Sequence, residues 1–235
     1  MRLLMIPLVV SAVSGCVDNN VDGGIFITKN LAPPSGTSCA FMANEGEPFL
    51  SQGTLDTRFS AAYVMHAQLK SRITASVTQL DQRTVLIQGA NVSITFPNAP
   101  ASVTSAISAL PADATQFRQL MSAPLAPNGG ISDVSFVIIS PAVSKAVFPL
   151  LSVDLQSVVA VANITVDGLM GGGTITSQTF AYPVNLTTGL ANDAGTCPLP
   201  MGFGTVRAGN VCGVAQDLPV DCCHEVTGQL RCPAT

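Results

Sequence analysis

Acid–base chemistry has few residues to work with in this chain. The imidazoles are His66 and His224 alone, and neither a Gly-x-Ser-x-Gly elbow nor a His-Glu-x-x-His helix accompanies them. His66 falls on the polar parity of an alternating stretch, the place of a surface histidine on a strand. His224 follows two adjacent cysteines and reads as solvated. Cys212, Cys222, Cys223 and His224 are zinc-type donors without the paired short spacings of a structural zinc site, so no metal is expected there. Asp18-x-Asn20-x-Asp22-Gly23 matches the first half of a calcium loop, with Ile25 at its apolar position. Lys29 stands where the closing bidentate carboxylate belongs, so this stretch reads as a polar tether. Gly168-x-x-Gly171-Gly172-Gly173 lacks the Lys-Ser/Thr of a phosphate cradle and leads into an alternating stretch, which makes it a hairpin loop. Asp81 or Asp154 with Glu45 shows no spacing that pairs carboxylates for acid–base work. No catalytic residue and no cofactor is expected.

The first 16 residues carry a clearer signal. Met1-Arg2 is a minimal basic start, and the apolar run Leu3 to Val13 is 11 residues long. A helix needs roughly 20 residues to cross a bilayer, so this run has the length and position of a signal-peptide core. Val13-Ser14-Gly15-Cys16 follows at once and resembles the bacterial lipobox: an aliphatic residue, two small residues, then cysteine. The resemblance implies that Cys16 receives a diacylglycerol on its thiol. It also implies cleavage just before Cys16, recognised through Val13, Ser14 and Gly15, and acylation of the new amino group by a fatty acid of the palmitate kind. Two or three chains hold a protein stably, at roughly 0.8 kcal/mol per buried methylene. Val17, in place of an aspartate that would retain the protein at the inner membrane, favours the outer membrane.

That reading also accounts for the cysteine count. Of the seven cysteines, lipidation removes Cys16 and leaves Cys39, Cys197, Cys212, Cys222, Cys223 and Cys232. An even number in an oxidising compartment implies three disulfides. Cys222 and Cys223 are neighbours and must pair in different directions, because a ring between adjacent residues is strained. Five of the six lie between 197 and 232, so at least one bridge should tie Cys39 to the C-terminal segment.

Composition places limits on partners. Charged residues make up only 10% of the chain, against roughly 25% in ordinary soluble domains. Ser, Thr, Asn and Gln cover the surface instead, as in extracellular β proteins. A net charge of −4 excludes the clustered basic surface that nucleic acid requires. With no Trp and 5% aromatics, stacking platforms for sugars are scarce. Hydrophobic residues at 47% are ample for a full core.

Period-two alternation dominates from residue 24 onward. Tyr63, Met65, Ala67 and Leu69 form one stripe, and Val134, Phe136 and Ile138 another. Val85 and Ile87 lie on one parity and Val92, Ile94 and Phe96 on the other, which places a bulge near Gly89-Ala90-Asn91. Ala160, Ala162, Ile164 and Val166 run toward the glycine loop, and Phe180, Tyr182, Val184 and Leu186 return from it as a hairpin. Short helices are expected at Ala112 to Met121 and Val143 to Leu151, the second interrupted by Pro149. Asn91-Val92-Ser93, Asn163-Ile164-Thr165 and Asn185-Leu186-Thr187 have the glycosylation pattern but read as polar side chains on the solvent faces of strands.

Gly53-Thr54-Leu55-Asp56, Tyr63, Leu69, Gly89-Ala90-Asn91-Val92 and Phe180-Ala181-Tyr182-Pro183-Val184 together resemble envelope lipoproteins of myxobacteria, a group without an established activity. The resemblance implies architecture and no mechanism. Those proteins would carry cysteines close behind the Tyr-Pro-Val strand; here Asn185-Leu186-Thr187 occupies that place.

The expected fold is mostly β: an antiparallel, immunoglobulin-like β-sandwich with a disulfide-rich C-terminal cap. Residues 1–15 would be a signal peptide, 16–23 a lipidated tether, 24–190 the sandwich and 191–235 the cap. The expected function is that of a lipid-anchored protein of the cell envelope with a structural or protein-binding role and no recognisable catalytic site. Its partners would be membrane lipid through Cys16 and another envelope protein, met by loops or a sheet edge. An envelope hydrolase and a calcium-dependent adhesion module are the alternatives.

Overall fold

The computed structural model describes residues 24–35, 38–75, 84–151, 155–198, 206–213 and 215–233. The lipobox residues Val13, Ser14, Gly15 and Cys16, the Asp18 to Gly23 stretch, and Asp81 and Asp154 lie outside the described residues.

The chain is mostly β, with largely antiparallel sheets. One sheet has the order β2 (Phe49–Leu50), β1 (Ile25–Leu31), β4 (Tyr63–Ser71), β7 (Ile131–Ile139), every pair antiparallel. The second runs β3 (Gly53–Asp56), β10 (Phe180–Thr187), β8 (Ser157–Met170), β5 (Val85–Thr95), β6 (Gln116–Leu125), with β9 (Gly173–Thr176) also on β8. Its β3–β10 pair is parallel. Parallel neighbours cannot be joined by a tight turn, and these two are far apart in sequence. A third, smaller sheet follows: β11 (Ala191–Thr196), β12 (Val220–His224) and β13 (Leu230–Arg231).

Alternation decides which side chains face inward. Met65, Ala67, Leu69, Phe136 and Ile138 of the first sheet share one core with Val92, Ala160, Ile164, Val184 and Leu186 of the second. Each large apolar side chain buried there contributes roughly 1.5–3 kcal/mol. The parity change on β5 is absorbed beside the stretch expected to bulge: pairing to both neighbours shifts between Ile87 and Gly89, with Gln88 extra against β8 and facing two residues, Met121 and Ser122, of β6.

Two sequence expectations need correction. The helix expected over Ala112 to Met121 is the single turn α2 (Ala112–Thr115), after which the chain becomes β6. Phe117, Leu120 and Met121 have helical spacing, but Phe117, Met121, Ala123 and Leu125 also share a strand parity. Pairing along β5 satisfies the backbone and leaves Leu120 82% exposed. The glycine stretch is also shorter as a loop than expected. Gly168 lies inside β8, paired with Ile175, and the reversal is made by Gly171 and Gly172 alone. Both have positive φ (57° and 86°), the region glycine enters at little cost. The second expected helix is α3 (Pro141–Val147), which opens with Ser140 accepting the Val143 N–H; Pro149 lies in a 3-10 turn over Phe148–Leu150. Together with α1 (Ala101–Ser108), α3 buries Val103, Val143 and Val147 in the shared core.

Candidate functional site

Three disulfides join the six cysteines after residue 16: Cys39–Cys212, Cys197–Cys223 and Cys222–Cys232. The neighbours Cys222 and Cys223 pair in different directions, and Cys39 is tied to the C-terminal segment. The pairing also consumes Cys212, Cys222 and Cys223 of the zinc-type set. Both partners of the His224 ring are acceptors: Nδ1 faces Gly228 O (3.2 Å) and Nε2 faces Asp193 Oδ2 (2.9 Å). The exposed Asp193 carboxylate raises the pKa of His224 above its ordinary value.

The C-terminal segment docks on the edge strand β3. Asp56 N–H donates to Ala215 O (2.9 Å) and Asp217 N–H to Thr54 O (2.8 Å), so Gln216 forms an antiparallel bridge with Leu55 on that edge. Gln216 extends the contact to the first sheet. Its Oε1 accepts the Val64 N–H (3.0 Å) and its Nε2 donates to Val64 O (2.7 Å), as a strand neighbour would. Tyr63 O–H donates to the Asp217 carboxylate (2.9 and 3.0 Å) and accepts from Asn30 Nδ2 (3.0 Å), which also donates to Tyr182 Oη (2.7 Å). Burial pushes the Tyr63 phenol far above its usual range, so it stays protonated and serves as a donor. The Tyr63 ring lies against Gly53, where an added Cβ would come within 2.4–2.5 Å of it; only glycine admits the ring. Asp56, fully buried, accepts from Arg58 (Nη2, 2.8 Å) and from the Leu190 and Ala191 N–H groups (2.9 Å each), fixing the passage into the third sheet.

His66 is where the structure departs most from the sequence. The expected surface histidine is only 7% exposed. It does point to the outer face of the first sheet, but the segment after β1 is laid over that face. Gln68 Nε2 donates to Asn44 O (2.7 Å), and Lys29 Nζ donates to Glu45 O (2.9 Å) and Glu47 O (2.7 Å). Lys70 pairs with Glu45, and the Phe41 ring stacks on the His66 imidazole at 3.7 Å. Lys29, which sits at the closing position of the calcium-like stretch, thus anchors this flap. Desolvation lowers the pKa of His66 to about 4, so its ring is neutral at neutral pH. Nδ1 lies 2.6 Å from Ser135 Oγ, and Nε2 is buried without a hydrogen-bond partner. One ring nitrogen and the two sulfurs of Cys39–Cys212 lie within 4.8 Å of one another. No sequence pattern announces this grouping, because the three residues come from separate stretches and the covering flap has no apolar period.

The outer face of the second sheet is polar. Asn91 pairs across strands with Thr165, and Ser93 with Asn163, so two of the glycosylation-like triplets stand side by side on solvent-facing positions. They floor a shallow depression of about 520 Å³, beside the Arg118–Asp167 ion pair (2.6 Å). Among the described residues no helix is long and apolar enough to cross a membrane.

No family model matches the chain, and no curated protein does. Among solved structures, the crystal structure of a protein from Archaeoglobus fulgidus is similar over 54% of this chain and 86% of that one. The TM-score is 0.34 and the identity 11%.

Proposed function

We propose that this is a lipid-anchored protein of the bacterial cell envelope, attached through Cys16 and acting by binding or scaffolding, with no catalytic role. One observation carries the reading: all six cysteines after residue 16 pair with one another, which leaves Cys16 as the odd thiol. Three disulfides suit an oxidising compartment, and the lipobox-like Val13-Ser14-Gly15-Cys16 supplies both export and a use for the remaining sulfur. Outer-membrane delivery follows from Val17. Two largely antiparallel sheets about one core favour an immunoglobulin-like sandwich as the body, with residues 191–235 as its cap. The myxobacterial envelope lipoproteins are the group that this reading joins.

The partner in this reading is another envelope protein. The edge strand β6 supports it: among the described residues no strand follows it in the sheet order, and it carries the exposed Leu120. Sheet edges are templates for strand addition from a second chain. The hydrolase alternative has less behind it, since the His224–Asp193 pair is exposed and His66 contacts a serine but, among the described residues, hydrogen-bonds no carboxylate.

The test is fractionation of cells expressing the full chain, with incorporation of labelled palmitate. The native protein is expected in the membrane pellet after a high-salt wash, and Cys16→Ser in the soluble fraction without label. Equal membrane retention of both would overturn the anchor.

A further inference from the structure

We propose that Cys39, Cys212 and His66 form a redox-gated site for a soft monovalent cation, copper(I). Closed as a disulfide, the two cysteines tie the flap to the cap. Opened, they present two thiolates beside a neutral imidazole, the three donor atoms already within 4.8 Å of one another. Bond lengths of about 2.0–2.3 Å put the donors of a trigonal site roughly 3.5–4 Å apart, a distance that side-chain rotation covers once the sulfurs part.

Three features distinguish this place from an ordinary structural bridge. The first is the His66 Nε2 atom, buried and without a partner in a side chain that is 7% exposed. A buried ring nitrogen left in that state is costly, and a cation would satisfy it. The second is Ser135. With Nδ1–H donating to Ser135 Oγ at 2.6 Å, the lone pair is left on Nε2, as in protein sites where a further group fixes the tautomer of a ligating histidine. The third is access. Cys39 is the one exposed cysteine of the six that pair, whereas Cys197, Cys212, Cys223 and Cys232 are half-buried and Cys222 is fully buried. Exposed disulfides are the ones that exchange. Two thiolates and one imidazole suit a soft ion. Among the described residues no fourth histidine, cysteine or carboxylate joins the group, so a three-coordinate ion is favoured over four-coordinate zinc.

The chemistry balances with a dithiol as reductant. A thiolate of the dithiol attacks the Cys39 sulfur, the Cys39–Cys212 bond breaks, and Cys212 leaves as a thiolate. The second thiol of the reductant resolves the mixed disulfide. The reductant ends as a disulfide, having given two electrons and two protons, and the protein ends with two thiols. Copper(I) then displaces the two thiol protons and remains in its oxidation state, so a metal crosslink replaces the covalent one.

The test uses the full chain carrying Cys16→Ser, which removes the seventh thiol and makes the result independent of the lipid anchor. One equivalent of dithiol is expected to expose two thiols per chain, mapped by alkylation and mass spectrometry to Cys39 and Cys212. Anaerobic titration against a chromogenic copper(I) chelator should then show one copper per reduced chain and none per oxidised chain. His66→Gln should lower the affinity at least tenfold with the same thiol count. Three results would overturn the proposal: the first two thiols mapping to the other four cysteines, undiminished affinity in His66→Gln, or copper uptake by Cys39→Ser/Cys212→Ser. If that double variant does not fold, the native sequence alkylated at the two mapped thiols replaces it, and retained uptake again overturns the site. Preference for zinc over copper(I) in direct competition would overturn the choice of ion.

Discussion

Between Ile25 and Leu186 the described residues build a core of 31 buried side chains; between Ala191 and Cys222 they build one of four, Ala191, Ala215, Val220 and Cys222. All three disulfides have at least one end in residues 191–235, and two lie wholly within that segment. The body stands on apolar burial. The cap, residues 191–235, is 45 residues, near the size at which a chain needs crosslinks to hold a fold. The same polypeptide thus shows two ways of offsetting chain entropy, divided at Asp56 and the Leu190–Ala191 backbone that it accepts from.

Reduction separates the two most strongly. The Cys39–Cys212 bridge has a sequence separation of 173, for which loop entropy alone gives about 5 kcal/mol, and the shorter cap bridges add to it without full additivity. Excess dithiol at neutral pH is expected to bring amides of β11 to β13 to near-free exchange while β5 and β8 keep their protection. Hydrogen exchange followed by mass spectrometry measures both at once. Equal loss in β5 and β8 would show that the body depends on the bridges too, and the comparison would fail.

Acid provides a second, smaller separation, this time from the body side. His66 has a folded pKa of about 4, while in the unfolded chain it titrates near 6.5. Below about pH 6.5 the unfolded chain therefore binds a proton that the folded chain refuses. Stability should fall as pH drops from 6.5 to 4 and level off below, by about 3 kcal/mol in all. Urea unfolding across that range measures the slope, and His66→Gln should flatten it. By NMR, the His66 ring should remain neutral at pH 5.5 while His224, raised by Asp193, is already charged. A His66 that titrates near 6.5 in the folded chain would mean that the flap does not cover it.

Much of the body was legible as alternation. The stripes of β4, β5, β7, β8 and β10 face the core where their parity says they should, because one face of each strand is buried and the period of side chains on a strand is two. Parity failed in two places for different reasons. On β6, Phe117, Leu120 and Met121 fit both a helix and a strand, and only the long-range pairing to β5 decides between them. On β4, His66 and Gln68 have the outward parity and are buried anyway, since residues 38–48 cover them through contacts such as Gln68 to Asn44 that no local pattern announces. The cysteines showed that bridges form and that Cys39 reaches the cap, but the choice of Cys212 as its partner depends on how the cap lies along β3. The candidate site was illegible for the same reason: its three residues meet only after that docking.

The smallest expected effect concerns the latch between the two regions. Tyr63 lies on the body, and its hydroxyl reaches the Asp217 carboxylate on the cap. In Tyr63→Phe the ring keeps its place over Gly53, so the core loses no volume. Asn30 Nδ2 still donates to Tyr182, and Asp217 still accepts from the Thr54 N–H (2.9 Å) and from Gln216 Nε2 (3.2 Å). What disappears is one buried donor to a carboxyl that burial already pushes above its usual pKa, together with the acceptor for one Asn30 Nδ2 hydrogen. Such a loss costs about 1–2 kcal/mol. Because the deleted bond crosses from body to cap, the cost should appear as faster exchange in the cap and along β3, with β5 and β8 unchanged. Uniform loss across all strands would mean that Tyr63 is simply a core residue and that body and cap unfold as one unit.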